Sequence, residues 1–314
     1  GKLILDNIDF AYRNENENIT VSENMNYNNI RVSGVSGEFS NIKIIESIFF
    51  ATVTDLKAKE QCGIVLENLT GNIKVSSTQL ACMDFNLKTA NSFVNGGFSF
   101  NYKEWEDYED FINKVKIRAL LLNETKLNFK DIAYFVKELN GLDEEIYVSG
   151  NVNGFVNDLK GEKIKLLFAD NTKFAGNVAL KGLPDINSTY MHFEVQTLST
   201  NRKDLEKIPT YPFSEKKHLK IPTNISQLGI VTFKGKFNGY INDFVSDGTF
   251  NTALGKVFTD LQMHIDTVKD VVSYKGKLVT NNFYLGRLAG NPDVGAISIN
   301  SNIKGKGLIL KDLD

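Results

Sequence analysis

At 314 residues, with 42% of its side chains apolar, the chain can build one to three domains around a sizeable core. Its formal net charge of −2, with lysines and arginines scattered among acids, excludes the basic footprint of a nucleic-acid binder, so no nucleic acid is expected as a partner. No run approaches the roughly 18 consecutive apolar residues that span a bilayer as a helix. Residues 1–6 and 307–314 both read as strands, as they would in an excerpt from a longer protein. Cys62 and Cys82 are expected to be free thiols. The pattern puts one strand between theirs, a separation of about 10 Å, beyond the reach of a disulfide.

In chain order, 3–12, 29–35, 42–53, 63–67, 72–76, 80–87 and 93–102 alternate as short strands, most clearly where Phe98, Phe100 and Tyr102 face away from Ser99 and Asn101. The asparagine-rich stretch 14–28 reads as a polar loop. Within 103–140 the period changes. Trp105, Tyr108, Phe111 and Ile112 fall at helical spacing over 104–115, with acids on the other side. A second helix is expected over 129–139, capped by Asn128 and ended by Gly141, with Phe129, Ile132, Val136 and Leu139 on one face. A strand over 116–122 separates the two. Such an insertion in a β chain is expected to cover an open sheet edge or to pack on its concave side. A membrane-surface role is the alternative, disfavoured by the acidic polar faces.

The chain then repeats itself. Residues 148–159, VSGNVNGFVNDL, return as 233–244, FKGKFNGYINDF, with five of twelve positions identical and five more exchanging one apolar or aromatic residue for another. In both copies one parity is apolar or glycine and the other mostly polar, the pattern of a strand with one dry and one wet face. Val148, Val152, Val156, Val231, Phe233, Phe237 and Ile241 are the candidate dry-face residues. Gly150, Gly154, Gly235 and Gly239 lie on the same face, where glycine marks a bend, a bulge or a close approach, and are taken as sheet-bending positions. Further strands are expected over 163–169, 174–181, 190–198, 248–254, 256–266, 271–279, 283–288, 294–304 and 308–310. A helical turn over 201–208 stops at Pro209, and 209–222, with three prolines, reads as an exposed loop. Echoes of the central step recur at Lys275-Gly-Lys277 and Lys304-Gly-Lys306. The expectation is a mostly β chain, one continuous segment over 1–314: a long, strongly curved, meandering sheet of about twenty strands with two or three short amphipathic helices.

No phosphate loop, dinucleotide fingerprint, zinc-protease helix or nucleophile elbow occurs. His192, His218 and His264 are far apart, and no Cys or His pair shows ligand spacing, so neither metal nor cofactor is expected. Asp158, Asp185, Asp243 and Asp260 would form a glycosidase pair only if a cleft held two of them roughly 5 to 10 Å apart. Asp158 and Asp243 each follow an asparagine at a strand end, a plainer turn signature. The expectation is a protein that is not an enzyme. A sheet with one polar face must bury the other, and if it curls without closing, that face lines a groove suited to acyl chains, each buried methylene contributing about 0.8 kcal/mol. An ordinary sandwich core filled by its own side chains stays open as the other outcome.

Several stretches, in one order along most of the chain, carry a resemblance. DNIDFAYR (6–13), AKEQCG (58–63), LKTANS (87–92), KDIAYF (130–135), KGLPDINSTY (181–190), LSTNRKDLEKI (198–208) and the run 228–261 resemble the TamB family of AsmA-like translocation and assembly module subunits of Bacteroidota. The resemblance implies a repeating β-groove, a "β-taco", in an envelope protein anchored in the inner membrane by a segment outside this sequence. It implies a periplasmic location, an outer-membrane partner of the Omp85 type, and passage of phospholipid acyl chains along the groove in outer-membrane biogenesis. The alternative role for the family is a scaffold or chaperone for inserting outer-membrane β-barrel proteins. No catalytic residues are implied.

Overall fold

The computed structural model describes residues 1–16, 24–210, 212–266 and 271–307. The strand expected over 308–310 and the middle of the asparagine-rich stretch lie outside them. The protein is mostly β with a few short helices, as the sequence predicts, and it folds into two compact units, Gly1–Val156 with Tyr211–Lys216 and Asn157–Thr210 with Lys217–Asp314.

In the first unit, β1 (Leu3–Arg13), β2 (Asn29–Ile45), β3 (Ile48–Glu60), β4 (Val65–Val75), β5 (Gln79–Thr89) and β6 (Phe93–Asn101) pair antiparallel in chain order. Strands are fewer and longer than the alternation predicts. The break expected near residue 40 is a bulge, with Asn41 at φ +54, and β2 runs on to a two-residue turn whose centres, Glu46 and Ser47, are both left-handed at φ +48 and +65. Thr70-Gly-Asn72, a string that supplies turn or bulge chemistry, forms a mid-strand bulge where the register of β4 against β5 shifts. Gly71 lies there because a Cβ would come within 2.8 Å of the Cys82 sulfur and 2.9 Å of the Phe85 Cβ.

Beyond β6 the simple meander is modified. β7 (Lys116–Leu121) and β8 (Lys126–Asn128) each pair with both β6 and β9 (Glu145–Phe155), so these four strands form a closed part. The registers show how. On β6, Gly96 faces Leu121 and Phe93 faces Lys126; on β9, Gly150 faces Leu121 and Tyr147 faces Lys126. β7 and β8 therefore lie end to end as one interrupted strand, with two more residues than either neighbour. Fully buried Thr125 ties the inset down on both sides. Its hydroxyl accepts from the Asn95 amide and donates to the Asn95 carbonyl, and its carbonyl accepts from Val148 N at 3.0 Å.

The second unit is an eight-strand antiparallel meander: β10 (Asp158–Phe168), β11 (Thr172–Lys181), β12 (Tyr190–Thr200), β13 (Val231–Tyr240), β14 (Asp243–Thr252), β15 (Gly255–Asp266), β16 (Val271–Phe283) and β17 (Ile297–Lys306). Pro209 and His218 form an isolated antiparallel bridge, and Pro212 with residues 214–220 is exposed.

The expected helices shorten. Residues 104–115 fold as a 3₁₀ stretch (Trp105–Asp110) running into one α turn, α1 (Phe111–Lys114). The second helix is α2 (Phe129–Ala133), capped by the Asn128 side chain, with a separate 3₁₀ turn at Lys137–Leu139. Helix α3 (Arg202–Leu205) follows β12, and α4 (Leu285–Ala289) follows β16.

Two of these helices reveal a second internal repeat. Asn128-Phe-Lys-Asp-Ile132 and Asn201-Arg-Lys-Asp-Leu205 share the pattern Asn-x-Lys-Asp-apolar. In both, asparagine caps the helix, accepting from Lys130 N and from Asp204 N. An acid three residues after an N-cap would ordinarily reach back to the cap's own amide. Here it is buried and serves a neighbouring hairpin. Asp131 accepts from the side chains of Thr89, Asn91 and Ser92 at the β5–β6 turn, at 2.5, 2.8 and 2.6 Å. Asp204, 1% exposed, accepts from Asn171 N at 2.6 Å and the Thr172 hydroxyl at 3.2 Å at the β10–β11 turn. In each unit a short helix thus seals the end of the hairpin beside it.

Candidate functional site

The apolar sheet faces are the candidate site. On β13 the alternation holds: Val231, Phe233, Gly235, Phe237 and Gly239 share one side, while Lys234, Lys236 and Tyr240 on the other are exposed. The register continues this face across the unit. Phe233 faces Leu198 and Phe250, and Phe237 faces Phe193 and Ser246. Aromatic rings form a ladder over it, Phe174–Phe193 at 6.3 Å between centroids, Phe193–Phe237 stacked at 5.5 Å and Phe237–Phe244 at 4.6 Å, with Phe233–Phe250 at 4.5 Å alongside. Such pairs each add about 0.5 to 1.5 kcal/mol beyond their burial.

Coverage of this face is uneven. Met191, Val195 and Phe233 are buried, whereas Phe174, Phe193, Phe237, Phe244, Phe250, Leu261 and Ile303 are half-buried. Where the face is closed, the chain's own side chains close it. Gly235 and Gly248 face each other across β13 and β14, and the Phe233 ring lies over both. A Cβ on either would come within 2.8 and 2.6 Å of that ring. At Gly235 the neighbouring strand comes closer still, with the Asp247 carbonyl oxygen 2.1 Å from where a Cβ would be, so this glycine makes room for both β14 and the ring. Gly239 is the contrasting case: its φ of +137 lies outside the range of L side chains, and a Cβ would meet the Phe244 backbone at 2.6 Å. Gly150 and Gly154 have similar φ values of +132 and +134.

In the first unit Val148 and Val152 lie on β9, with Val152 facing Ala119 of β7, and both are half-buried. The apolar side of β5 and β6 carries a chain of rings, Phe85–Phe98–Phe100, and the insertion adds to it. Phe111 packs edge-on against Phe100 at 5.3 Å and Tyr108 against Tyr102 at 4.9 Å. Residues 105–114 thus sit on the apolar side of β6. Burial there holds the Tyr108 hydroxyl far above the usual phenol range.

Two expected lining residues are not on a strand face. Val156 and Ile241 fall in the turns that follow β9 and β13, and Ile241 is 48% exposed. The repeat's Asn-Asp pair bends the chain there: Tyr240 pairs with Asp243, leaving Ile241 and Asn242 as a two-residue hairpin loop. The dry-face assignments thus divide by unit, Val148 and Val152 in the first, Val231, Phe233 and Phe237 in the second.

Asp243 faces His264, whose Nδ1 lies 3.5 Å from its carboxylate, and Asp260 faces Asp247 and Lys277. Asp185 caps a 3₁₀ turn, and hydrogen bonds from the Ser188 hydroxyl and Asn187 N hold its carboxyl below the usual range. Asp158 opens β10 opposite Lys181. His192 Nδ1 contacts Asn238 Oδ1 at 2.5 Å, and His218 stays in the proline-bracketed bridge. Among the described residues no three His, Cys, Asp or Glu side chains gather as metal ligands. Both cysteines are free, and burial, aided at Cys62 by the Glu60 carboxylate, pushes each thiol up to about 11.

Periodicity alone missed the buried pair Asp131 and Asp204. The repeated Asn-x-Lys-Asp-apolar string was the signal available, hidden because the copies are 73 residues apart while the glycine copies are 85 apart. In comparisons with known proteins, no family model, no curated protein and no solved structure matches the chain.

Proposed function

We propose that this chain is a segment of a lipid-conducting β-groove, in which phospholipid acyl chains lie against the apolar sheet faces and headgroups stay on the polar side, in a periplasmic bridge between inner and outer membranes. The observation that carries the reading is the half-buried state of the second unit's aromatic ladder. Eight strands present a nearly continuous apolar face, yet Phe174, Phe193, Phe237 and Phe244 retain solvent contact. A filled sandwich would bury such side chains under a second layer about 10 Å away. An acyl chain laid on them completes their burial at about 0.8 kcal/mol per methylene, with no bond made or broken. The resemblance to TamB-type proteins supports the same reading, with an Omp85-type partner and a membrane anchor outside this chain.

Native mass spectrometry of the purified protein tests it directly. Bound phospholipid is expected in the wild type and depleted in Val152→Glu/Phe237→Glu. A lipid-free wild type, or wild-type lipid content in a double variant that folds normally, would overturn the groove. One feature favours the alternative role as a scaffold for outer-membrane β-barrel clients. Strand β1 pairs with β2 but leaves Leu3, Ile4, Ile8, Phe10 and Tyr12 about half exposed or more, apolar surface of the kind that strand addition uses. Crosslinks from β1 to a nascent barrel, with no co-purifying lipid, would select that reading.

A further inference from the structure

Lys-Gly-Lys occurs three times, at 234–236, 275–277 and 304–306. In each the glycine points to the apolar face, where a Cβ would crowd a neighbouring strand or ring: the Gly248 backbone at 2.6 Å from position 235, the Leu261 backbone at 3.0 Å from 276, and the Tyr274 ring at 2.6 Å from 305. Strand alternation then sends both flanking lysines to the polar face. On β13 Lys236 faces Glu194 on one side and Asp247 on the other, and Lys234 faces Thr249 rather than another lysine.

On β16 and β17 the pairing differs. Lys275 faces Lys304 directly and has Gln262 on its other side, while Lys306 faces Ser273. Only Lys277 has an acid opposite, Asp260. Lys275, Lys304 and Lys306 make no ion pair among the described residues. Like charges directly opposite on neighbouring strands are unfavourable, so the arrangement needs a counter-charge from outside the sheet. The three lysines border a recess of about 610 Å³, which Gln262, His264, Ser273, Tyr274 and Gly305 also line; among the described residues no carboxylate lines it. Of the described acids nearby, Asp243 beside His264, Asp247 opposite Asp260 and Asp266 at the end of β15 lie outside its lining.

We infer that this recess binds a phosphate group, either free or as the headgroup of an anionic lipid. Lysine is a compact, mobile point charge with three donors, suited to a tetrahedral anion that approaches without fixed orientation, and the flanking amide, imidazole and hydroxyl supply directional contacts. The site stands on charge and shape, independently of the acyl groove.

The test measures the whole chain at low salt against two probes, inorganic phosphate followed by 31P NMR and phosphatidylcholine vesicles with or without 30% phosphatidylglycerol followed by flotation. The variants are Lys275→Gln/Lys304→Gln and, with the same change in formal charge, Lys234→Gln/Lys236→Gln. At about fivefold per lysine near an anionic surface, the first should weaken binding about 25-fold, and the second should stay within about twofold of wild type. Relief of repulsion should also leave the first variant at least as heat-stable as wild type. Capture by the phosphatidylglycerol vesicles identifies the headgroup as the source. Binding of inorganic phosphate alone identifies a free phosphate. Binding of neither probe, or equal weakening by both variants, would overturn the site. Co-purifying lipid, read separately by native mass spectrometry, reports on the groove and not on this recess.

Discussion

Asp131 offers the sharpest test of how the first unit holds together. Its carboxylate, 8% exposed, accepts from the Thr89 hydroxyl, the Ser92 hydroxyl and the Asn91 amide. Hydrogen bonds to a charged group contribute about 1.5 to 3 kcal/mol each, but the three do not simply add. After Asp131→Ala, the Thr89 hydroxyl can turn to the Ser92 carbonyl 3.3 Å away, and half-buried Asn91 can reach water. The Ser92 hydroxyl, which also accepts from Asn128 N, is left buried without its acceptor. The expected loss is about 3 kcal/mol. Asp131→Asn keeps the shape and one oxygen; that oxygen can accept both hydroxyls if the Asn91 amide turns over to receive the new NH₂, so about 1 kcal/mol is expected. Urea denaturation of the full chain gives the energies, and hydrogen exchange at residues 89–92 gives the location. A loss below about 0.5 kcal/mol for alanine, or equal losses for alanine and asparagine, would refute the hairpin-sealing role.

Other outcomes follow from the same geometry. Phe233→Ala removes the ring that lies over Gly235 and Gly248 and should cost about 3 to 5 kcal/mol by denaturant unfolding. Gly239→Ala should cost about 2 kcal/mol or more through its left-handed backbone, whereas Gly290→Ala, at φ +65 with open space around it, should cost less. With both thiols raised to about 11, the thiolate fraction at pH 8 is about a hundredth of that of an ordinary cysteine, so iodoacetamide should label Cys62 and Cys82 about 100-fold faster in urea than in the folded protein. Labelling of the native protein at the unfolded rate would contradict that burial.

The β class and the Asn128 cap were legible because alternation and capping are local signals. Strand ends were less so. The turn at Glu46-Ser47 contains neither glycine nor asparagine, and at Ile241 the apolar alternation carries straight through a hairpin loop. At Gly71 the sequence marked an irregularity, the bulge between Thr70 and Asn72, but not that the glycine is needed for space, because sequence does not distinguish a glycine needed for φ from one needed for room. The helix over 104–115 kept its apolar spacing but opened as a 3₁₀ stretch. Tertiary contact overrode local propensity there, with the rings of Trp105, Tyr108 and Phe111 packing on one another and on β6. Of the candidate lining, Val148 and Val152 lie on β9 and Val231, Phe233 and Phe237 share one side of β13. What covers a face depends on strands distant in sequence, and periodicity does not report it.

The interrupted strand formed by β7 and β8 has a bearing on how such a sheet tolerates change. Side chains alternate with period two, so an inset of even length leaves every later residue on its original side. Ile117, Ala119 and Leu121 before the inset and Leu127 after it keep one parity, and Thr125 within it shares that parity while being fully buried. The exposed residues 122–124 are therefore a place where two residues can enter or leave and the sheet keeps its sidedness, whereas a single one would turn the strand inside out. Length can drift here in steps of two.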